Sequence, residues 1–463
     1  MTTSAPDTAQ VEDFFDRVVD VHPPTSSHGA DNSLPGIFDA MSRLPVAPGE
    51  IVMIALPNGM RLLRCYFAAL SAGHVPVLLA PSTPDLRIEM TAERLGAAAL
   101  IGSRPRFADR PDVAAVGLGG PVAEVFDGPR RRYDPGQAIL LTSGTSGMAT
   151  GCLHDVAALR RNARRHADSI GLTGADTVLA SLPVYYSFAL VAQVLAALET
   201  GASLVLSGPP FTAPGYAAAV AEHKVTCSSL TPLLAVSLTD AGGRLPDGLR
   251  TLTVGGQAMG PEETGRLLGA NPSLKLYLTY GLTQAGPRVA TLAAHREPFH
   301  RHSSAGLPMD GVTLSTRDVG RGPDMQELLV TSDTVYRARV GTEPGTPDTA
   351  LLAADTVATG DLGHIDEDGY LFLRGRRSDF AIVRGEKVLL SSVREAVNSL
   401  PGVLRTTVVA PEPTGEALSF DIYLERDGAS EKEMRRALSR LLAPHERPGR
   451  LTLHRAEAGS FHK

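Results

Sequence analysis

Ile139-Leu-Leu-Thr-Ser-Gly-Thr-Ser-Gly147 leads from a short apolar run directly into a loop of hydroxyl-bearing residues and glycines. The apolar part, 139–141, predicts a buried β-strand. Glycines let backbone N–H groups converge and the hydroxyls add further donors, so the loop that follows is suited to holding phosphates. No Gly-Lys-Ser/Thr comes next, so this is not a Walker loop. A flexible surface turn is the alternative interpretation of the loop taken alone.

The same order, an apolar strand that ends in a small or polar loop, recurs along the chain. Segment 249–254 runs into Gly255-Gly256, and segment 274–278 runs into Thr279-Tyr280-Gly281. Between residues 51 and 101, apolar runs at 51–56, 75–79 and 97–101 alternate with helical patterns up to 72 and over 86–95. This alternation predicts parallel strands joined by crossover helices. Ligands of such sheets bind beyond the carboxyl ends of the strands.

The composition is that of a soluble globular protein of more than one domain. The chain has 463 residues, of which 43% are hydrophobic and 20% charged, with a formal net charge of -6. No sustained basic block is present, which disfavours nucleic acid as a partner. No apolar run has membrane-spanning length, and the N-terminus lacks the pattern of a secretory signal. The three cysteines have no paired spacing, so we expect a cytoplasmic protein without disulfides or zinc.

The predicted pattern of helices and strands changes after Gly375. Ser392 to Glu395 and Ser430 to Glu433 resemble capping boxes that open helices over 393–400 and 431–442. Strand-like runs lie between them, at 403–410 and 418–424. The sequence therefore predicts a large N-terminal domain over 1–374 and a small α+β domain over 375–463.

Four motifs in order resemble the signature of the acyl-adenylate-forming (AMP-binding) superfamily. They are 142–147, Tyr280-Gly-Leu-Thr-Gln284, Thr359-Gly-Asp361 and Gly375-Arg-Arg-Ser-Asp379. The superfamily includes acyl-CoA synthetases, nonribosomal-peptide adenylation domains and luciferases, and the resemblance extends from about residue 50 to 463. It implies a large α/β domain followed by a small, mobile α+β lid. It also implies an ATP- and Mg²⁺-dependent acid–thiol ligase, which forms an acyl-AMP and passes the acyl group to coenzyme A or to the phosphopantetheine of a carrier protein.

The resemblance assigns nucleotide-binding residues. The phosphate loop would comprise Thr142, Ser143, Gly144, Thr145, Ser146 and Gly147. Gly255, Gly256 and Gln257 would line the adenine slot. Tyr280 would stack on the base and Thr283 would hydrogen-bond the α-phosphate. Asp361 would accept the ribose hydroxyls, and Arg376 would donate to the ribose.

Two residues of the predicted small domain receive roles from the same resemblance. Lys463, which lies 84 positions after Asp379 (463 minus 379), would bridge the substrate carboxylate and the α-phosphate as negative charge builds between them. Here His462 precedes the lysine where the family has glycine, and a functionless end is the alternative. Asp379 would be the hinge about which the lid swings between the two half-reactions.

Two departures from the family pattern reduce the positive charge and the metal ligands around the triphosphate. The family usually has Pro-Lys-Gly where this chain has Ala149-Thr150-Gly151, so one phosphate-binding cation is missing. A magnesium-binding glutamate is replaced by Gln284, whose amide offers a carbonyl oxygen without charge, so we expect a weak Mg²⁺ ligand.

The acyl pocket is predicted around Tyr186, Ser187, Phe188 and Val191, together with segment 229–233. No aspartate that could bind an α-amine occurs there, so we expect a small carboxylic acid without one, aromatic or modestly polar. Two alternatives stay open. One is an adenylating enzyme with a nitrogen nucleophile as acceptor, acting on an organic acid or an inorganic oxyacid. The other is a non-catalytic homologue that binds an acyl group or a nucleotide.

Overall fold

The computed structural model describes residues 8–22, 33–142, 150–208, 211–240, 244–320, 323–343, 345–376, 380–384, 386–410, 417–424 and 429–455. These residues form two eight-stranded sheets, one five-stranded sheet, a three-stranded sheet and a two-stranded ribbon.

The strands, in chain order, are β1 Val18–Asp20, β2 Ile51–Ala55, β3 Val75–Leu78, β4 Ala97–Gly102, β5 Val113–Gly117, β6 Val122–Phe126, β7 Gln137–Thr142, β8 Thr150–Asp155, β9 Thr177–Ala180, β10 Ser203–Leu206, β11 Cys227–Leu230, β12 Thr251–Gly255, β13 Lys275–Gly281, β14 Arg288–Leu292, β15 Leu307–Pro308, β16 Val312–Arg317, β17 Gln326–Ser332, β18 Ala338–Val340, β19 Leu351–Ala353, β20 Thr356–Ile365, β21 Leu371–Arg376, β22 Phe380–Val383, β23 Glu386–Leu389, β24 Val403–Val409, β25 Leu418–Leu424 and β26 Pro448–Arg455.

The α-helices are α1 Thr8–Phe15, α2 Leu34–Ser42, α3 Met60–Ser71, α4 Asp85–Leu95, α5 Val156–Ile170, α6 Ser187–Ala189, α7 Ala196–Thr200, α8 Ala213–Glu222, α9 Pro232–Asp240, α10 Pro261–Ala270, α11 Leu390–Asn398 and α12 Glu431–Leu441. A π-helical segment, Leu190–Leu195, joins α6 to α7. Short 3₁₀ turns lie at Thr283–Ala285, Ala294–Arg296, Phe299–Arg301, Pro323–Met325 and Pro444–Glu446.

The first eight-stranded sheet has the order β18-β8-β7-β3-β2-β4-β6-β5. Its centre, from β7 to β4, is parallel, and every residue of β2 and β4 is buried. Strands covered on both faces read as continuous apolar runs, which is the pattern at 51–56 and 97–101. The predicted alternation of strands and helices between residues 51 and 101 is confirmed.

The second eight-stranded sheet has the order β1-β10-β9-β11-β12-β13-β14-β15. It is parallel from β1 to β13, and β14 and β15 run antiparallel at one edge. Strand β7 of the first sheet and strands β12 and β13 of the second are the three whose following loops were predicted to form a site. The end of β7 and the residues after β12 and β13 meet at one cavity, as their position at carboxyl ends predicts.

The five-stranded sheet is antiparallel, with β16-β17-β20-β19 in line and β21 also paired with β20. Gly360 interrupts β20 with a φ of 73°, a left-handed conformation that glycine adopts without a Cβ clash. The hydroxyl of Thr359 accepts a hydrogen bond from the backbone N–H of Asp361 at 3.0 Å. This local turn fixes the direction in which the Asp361 side chain leaves the strand.

The segment after residue 380 packs around a hydrophobic cluster of its own, formed by residues of β22–β25, α11 and α12. Ser430 and Glu433 form the predicted capping box of α12, and that prediction is confirmed. The predicted capping box at Ser392 is wrong, because β23 runs directly into α11 and the helix begins at Leu390. The boundary at residue 374 remains a prediction.

All three cysteines are free and buried, at Cys65, Cys152 and Cys227. Burial in an apolar environment raises the pKa of each thiol to about 12. None of the helices in the described part of the chain combines the length and the hydropathy needed to span a bilayer.

Candidate functional site

A cavity of about 1410 Å³ opens at the carboxyl ends of the two large sheets. Its wall combines the ends of β7 and β13 with residues after β12, the start of α6, the Thr359-Gly360 turn and parts of the segment after residue 380. Six arginines line it, at positions 94, 288, 317, 339, 376 and 384. Five carboxylates also line it, at positions 327, 343, 348, 386 and 446, and Arg317 and Arg339 pair with two of them. The excess of positive charge is therefore small, and the size of the cavity suits an extended ligand.

The side of the cavity formed by β13, β20 and β21 holds a buried polar cluster. Tyr280 donates its hydroxyl to Oδ2 of Asp361 at 2.6 Å, and Arg376 donates Nε to Oδ1 of the same carboxylate. Burial, reinforced by the Asp361 charge, raises the pKa of Tyr280 well above its usual value. Burial alone would lower the pKa of Arg376, but Asp361 outweighs it and the pKa is raised. At neutral pH the tyrosine therefore remains a donor and the arginine remains a cation.

The cluster joins two motifs that are far apart in the sequence. Asp361 and Arg376 are cross-strand partners of β20 and β21, and Tyr280 lies near the end of β13 in another sheet. Arg376 and Gly360 face the cavity, while Tyr280 and Asp361 lie behind them and are buried. The structure thus brings these three predicted nucleotide-binding residues together.

Thr142 and Thr150 close the base of the predicted phosphate loop. They are paired residues of the β7–β8 hairpin, and the Thr142 hydroxyl lies 3.1 Å from both the carbonyl oxygen and the hydroxyl of Thr150. Both threonines line the cavity. The predicted loop residues Ser143, Gly144, Thr145, Ser146 and Gly147 lie outside the described residues.

The predicted adenine slot lies at the end of β12. A Cβ on Gly255 would approach the Thr279 hydroxyl to 2.5 Å, so only glycine fits against β13. Gly256 has a φ of 84°, and a Cβ there would meet nothing within 4 Å. Gly256 and Gln257 line the cavity, and Gly255 lies behind them. The space beside Gly256 is wide enough for a flat group to approach the backbone.

Thr283 and Ser187 connect the predicted nucleotide side of the cavity to the predicted acyl side. Their hydroxyl oxygens are 3.1 Å apart, and both residues line the cavity. The Thr283 carbonyl accepts a hydrogen bond from Nε2 of His154 at 2.9 Å. Burial lowers the pKa of His154 to about 4, so the ring is neutral near pH 7 and fixes the turn without adding charge.

The predicted acyl side is formed by the start of α6. Tyr186 donates its hydroxyl to Oε2 of Glu386 at 3.1 Å, a contact with the segment after residue 380. Phe188 lines the cavity, as do Thr231, Leu233 and Leu234, whereas Val191 is fully buried in the core below it. Gln284 also faces the cavity, and its backbone carbonyl accepts the backbone N–H of Tyr336 at 3.0 Å.

Two further predicted residues lie outside the described part of the chain, besides the five of the phosphate loop. The predicted catalytic Lys463 and the predicted hinge Asp379 both lie outside the described residues, so their roles remain predictions.

Several side chains of the site were not predicted from the sequence. His154 and Arg288 are buried against it, and Arg94 and Arg339 line its wall. A signal for Arg288 was present, because an arginine at the head of the apolar strand 288–292 is unusual for a buried strand.

A family model described as AMP-binding enzyme matches residues 39–334, more than half of the chain. The chain belongs to the AMP-binding enzyme family. The predicted resemblance is therefore confirmed, and the match includes the β7–β8 hairpin, the end of β12 and the Tyr280–Gln284 motif.

Relatives of this AMP-binding enzyme carry names of coenzyme A ligases. The chain is 24% identical over 428 residues to a 2-succinylbenzoate–CoA ligase of Bacillus mycoides, covering 89% of this chain and 86% of the relative. A solved o-succinylbenzoate CoA synthetase of Bacillus subtilis, bound to a product analogue, has a TM-score of 0.78 at 20% identity and covers 94% and 91% of the two chains.

The same Bacillus subtilis synthetase is known in complex with ATP and magnesium ion, with a TM-score of 0.63 at 21% identity over 91% and 90% of the chains. An amide bond synthetase of Marinactinospora thermotolerans has a TM-score of 0.74 at 20% identity and covers 96% of each chain. The predicted fold class and the predicted class of AMP-forming ligases are confirmed by these comparisons.

Proposed function

We propose that this AMP-binding enzyme activates a small carboxylic acid with ATP and transfers the acyl group from acyl-AMP to a thiol. The observation that carries the proposal is the Tyr280–Asp361–Arg376 cluster beside a large cavity that is also lined by Thr142, Thr283 and Gly256. A tyrosine hydroxyl, a carboxylate and a guanidinium held together against a cavity can bind a ribose and its phosphate.

We assign the roles of the site residues as follows. Gly255, Gly256 and Gln257 line the adenine site, and Tyr280 stacks on the base. Asp361 and Arg376 bind the ribose. Thr283 donates a hydrogen bond to the α-phosphate. Tyr186, Ser187 and Phe188 contact the acid, because they lie on the other side of Thr283. Lys463 stabilises the charge that develops when the carboxylate attacks, and the segment beyond Asp379 moves to admit the thiol.

The phosphates and the magnesium ion need ligands that compensate for the missing lysine and glutamate. Among the described residues, no group of three or more histidine, cysteine, aspartate or glutamate side chains could hold a metal ion alone. We infer that the ion is bound mainly by ATP oxygens, with the Gln284 side-chain carbonyl as a weak protein ligand. Arg94 and Arg339 line the cavity, and Arg339 is paired with Asp348 at 3.5 Å. We infer that Arg94, whose Nε donates to the Gly341 carbonyl, supplies positive charge that position 150 lacks.

The acceptor in this proposal is coenzyme A or the pantetheine of an acyl carrier protein in the cytoplasm. The names of the relatives support coenzyme A. A nitrogen acceptor is the second candidate, because the amide bond synthetase has a similar fold. In both cases the first half-reaction is the same, so the acceptor has to be determined separately.

The test has two stages. ATP–pyrophosphate exchange is measured over a panel of carboxylic acids, with Asp361→Asn as the site variant and Asp355→Asn, an exposed carboxylate outside the cavity, as the matched control. We expect exchange with at least one acid, a loss of about 10-fold or more in Asp361→Asn, and no change in the control. Enzyme loaded with that acid is then offered coenzyme A, a pantetheinylated carrier protein or a primary amine.

The outcomes separate the candidates. Thioester formation supports the proposal, and product with the amine alone replaces it by the nitrogen-acceptor reaction. If neither exchange nor calorimetric binding of ATP occurs with any acid, the protein is a non-catalytic homologue.

A further inference from the structure

Arg288 is a buried cation in the wall of the cavity. It is the first residue of β14 and is only 3% exposed, yet it lines the cavity. Its Nε and Nη2 atoms are buried and have no hydrogen-bond partner in the described part of the chain. Burial lowers the pKa of the guanidinium to about 9, so it is still charged at neutral pH.

The position of Arg288 is fixed from two sides. The side chain of Asn162, on α5, forms two hydrogen bonds with the Arg288 backbone. Its Oδ1 accepts from the Arg288 N–H at 2.8 Å, and its Nδ2 donates to the Arg288 carbonyl at 2.9 Å. The guanidinium lies over the Phe188 ring, with Cζ 4.6 Å from the ring centroid. Because the ring covers one face of the plane, polar contacts are left to the edge of the guanidinium.

No neighbouring group neutralises this charge within the described residues. His166 of α5 is near enough to interact electrostatically with Arg288, and both of its ring nitrogens are buried without partners. Burial and then the Arg288 charge hold the pKa of His166 well below its usual value, so it is neutral. Burial is the only cause of the Arg288 shift itself, with no contribution from any carboxylate.

A buried arginine without a counter-charge is costly to the folded protein, and such groups are normally paired. The Nε and Nη2 edge of a guanidinium presents two parallel N–H donors, which match the two oxygens of a carboxylate. The missing partner is therefore expected in the ligand. Since the phosphates and the reacting carboxylate belong beside Thr142 and Thr283, Arg288 is available for another group.

We propose that Arg288 determines substrate specificity by binding a second anionic group of the acid, so that the preferred substrates are dicarboxylic acids. This inference rests on the proposed function, because it assigns the cavity beside Phe188 to the acyl group. Phe188 separates the two ends of the substrate in this arrangement. The tip of its ring lies 3.4 Å from the position of a Cβ on Gly255, on the nucleotide side, while its face contacts Arg288.

Calorimetric titration of the full-length chain with AMP present tests the proposal without requiring turnover. The probes are three matched pairs of acids: adipate and hexanoate, terephthalate and benzoate, and homophthalate and phenylacetate. For the wild type we expect at least one dicarboxylate to bind about 10-fold or more tightly than its matched monocarboxylate. In Arg288→Met, which keeps a similar volume without the charge, this ratio should fall to about 1.

The control variant is Arg266→Met, because Arg266 is an exposed residue of α10 outside the cavity. It should keep the wild-type ratio. Thermal unfolding without ligand provides a second readout, since removal of an unpaired buried charge should raise the melting temperature of Arg288→Met by about 2–4 °C. The wild type, and not Arg288→Met, should gain further thermal stability from the preferred dicarboxylate.

Three results would overturn the proposal. The first is a wild type that prefers no dicarboxylate, and the second is an Arg288→Met variant that retains the preference. The third is a loss of AMP affinity in Arg288→Met as large as the loss of affinity for the acid, because that result would assign Arg288 to the nucleotide. Its failure is distinguishable from failure of the proposed function. Pyrophosphate exchange with monocarboxylates alone refutes the role of Arg288, whereas selective dicarboxylate binding without exchange refutes only the catalytic function.

Discussion

The hydroxyl of Tyr280 lies 2.6 Å from Oδ2 of Asp361, although the two residues are separated by 81 positions in the chain. The same carboxylate pairs with Arg376, so a single buried aspartate links the second sheet to the antiparallel sheet. In the proposed enzyme this link places the ribose-binding groups at a fixed distance from Gly255 and Gly256 at the end of β12.

Removal of the Tyr280 hydroxyl tests this link. Tyr280→Phe removes the shorter of the two hydrogen bonds that Oδ2 of Asp361 accepts and leaves the one from Nη2 of Arg376 at 3.4 Å. Because a hydrogen bond to a charged group is lost, we expect the free energy of unfolding to fall by about 1–3 kcal/mol. AMP affinity should fall at the same time, because Asp361 loses a positioning contact. Denaturant unfolding and calorimetry measure the two effects, and Tyr277→Phe on the same strand is the control. A Tyr280→Phe variant with unchanged stability and AMP affinity would mean that the hydrogen bond has no role in either.

Restoring a carboxylate at position 284 should strengthen the metal site. Gln284→Glu adds a charged oxygen ligand at the cavity wall, and charged oxygens bind Mg²⁺ better than an amide carbonyl. We expect the Mg²⁺ concentration for half-maximal pyrophosphate exchange to fall by about 10-fold. Gln257→Glu adds the same charge at the predicted adenine side and should not reproduce the effect. An unchanged Mg²⁺ dependence in Gln284→Glu would remove position 284 from the metal site.

His154 predicts a pH dependence of stability. Its pKa is about 4 in the folded protein and near 6.5 when unfolded, so between these values the unfolded chain binds more protons. Stability should therefore rise with pH across this window and fall as the pH decreases from 6.5 to 4, by up to about 3 kcal/mol from this residue.

His154→Gln keeps an N–H donor for the Thr283 carbonyl but cannot titrate. We expect a shallower decline of the unfolding free energy between pH 6.5 and 4, with the remaining slope due to groups such as the buried His166. Denaturant titrations at several pH values measure it. The exposed His300→Gln should behave as the wild type. Equal slopes in all three proteins would show that His154 titrates normally in the folded state.

Lys463 is predicted to act in adenylation only. Lys463→Ala should lower the rate of pyrophosphate exchange by about 100-fold or more, because it removes the cation that stabilises the developing charge. Thioester formation from chemically prepared acyl-AMP should be retained, since the lysine is not needed in that step. Lys432→Ala, at an exposed position of α12, is the matched control. Loss of both half-reactions in Lys463→Ala would instead indicate a general structural effect.

The sequence was sufficient for the parts of the site that depend on local order. Glycines and hydroxyls after apolar strands predicted the ends of β7, β12 and β13, because strand direction places such loops at one edge. The capping box at Ser430 was also readable, since capping depends on residues only three apart. At Ser392 the same pattern gave a wrong prediction of the helix start. The preceding strand runs directly into the helix, which begins at Leu390.

Residues whose role depends on tertiary packing were not predicted. Arg288 is positioned by Asn162, 126 residues earlier, and by Phe188 from another element. His154 reaches the carbonyl of Thr283 across 129 positions. Neither contact has a local sequence pattern. The arginine at the head of the apolar strand 288–292 is unusual, but only the assembled sheets show which groups surround these two side chains.

The burial of Cys65, Cys152 and Cys227 makes the native protein suitable for site-specific labelling. Thiols with a pKa of about 12 are almost entirely protonated at neutral pH and are shielded from alkylating reagents. A cysteine introduced at an exposed position, such as Ser439 of α12, would therefore react selectively with a maleimide dye without replacement of the natural cysteines. Paired with a second dye on the large sheets, such a label would test the predicted lid movement by energy transfer, with the natural cysteines left in place.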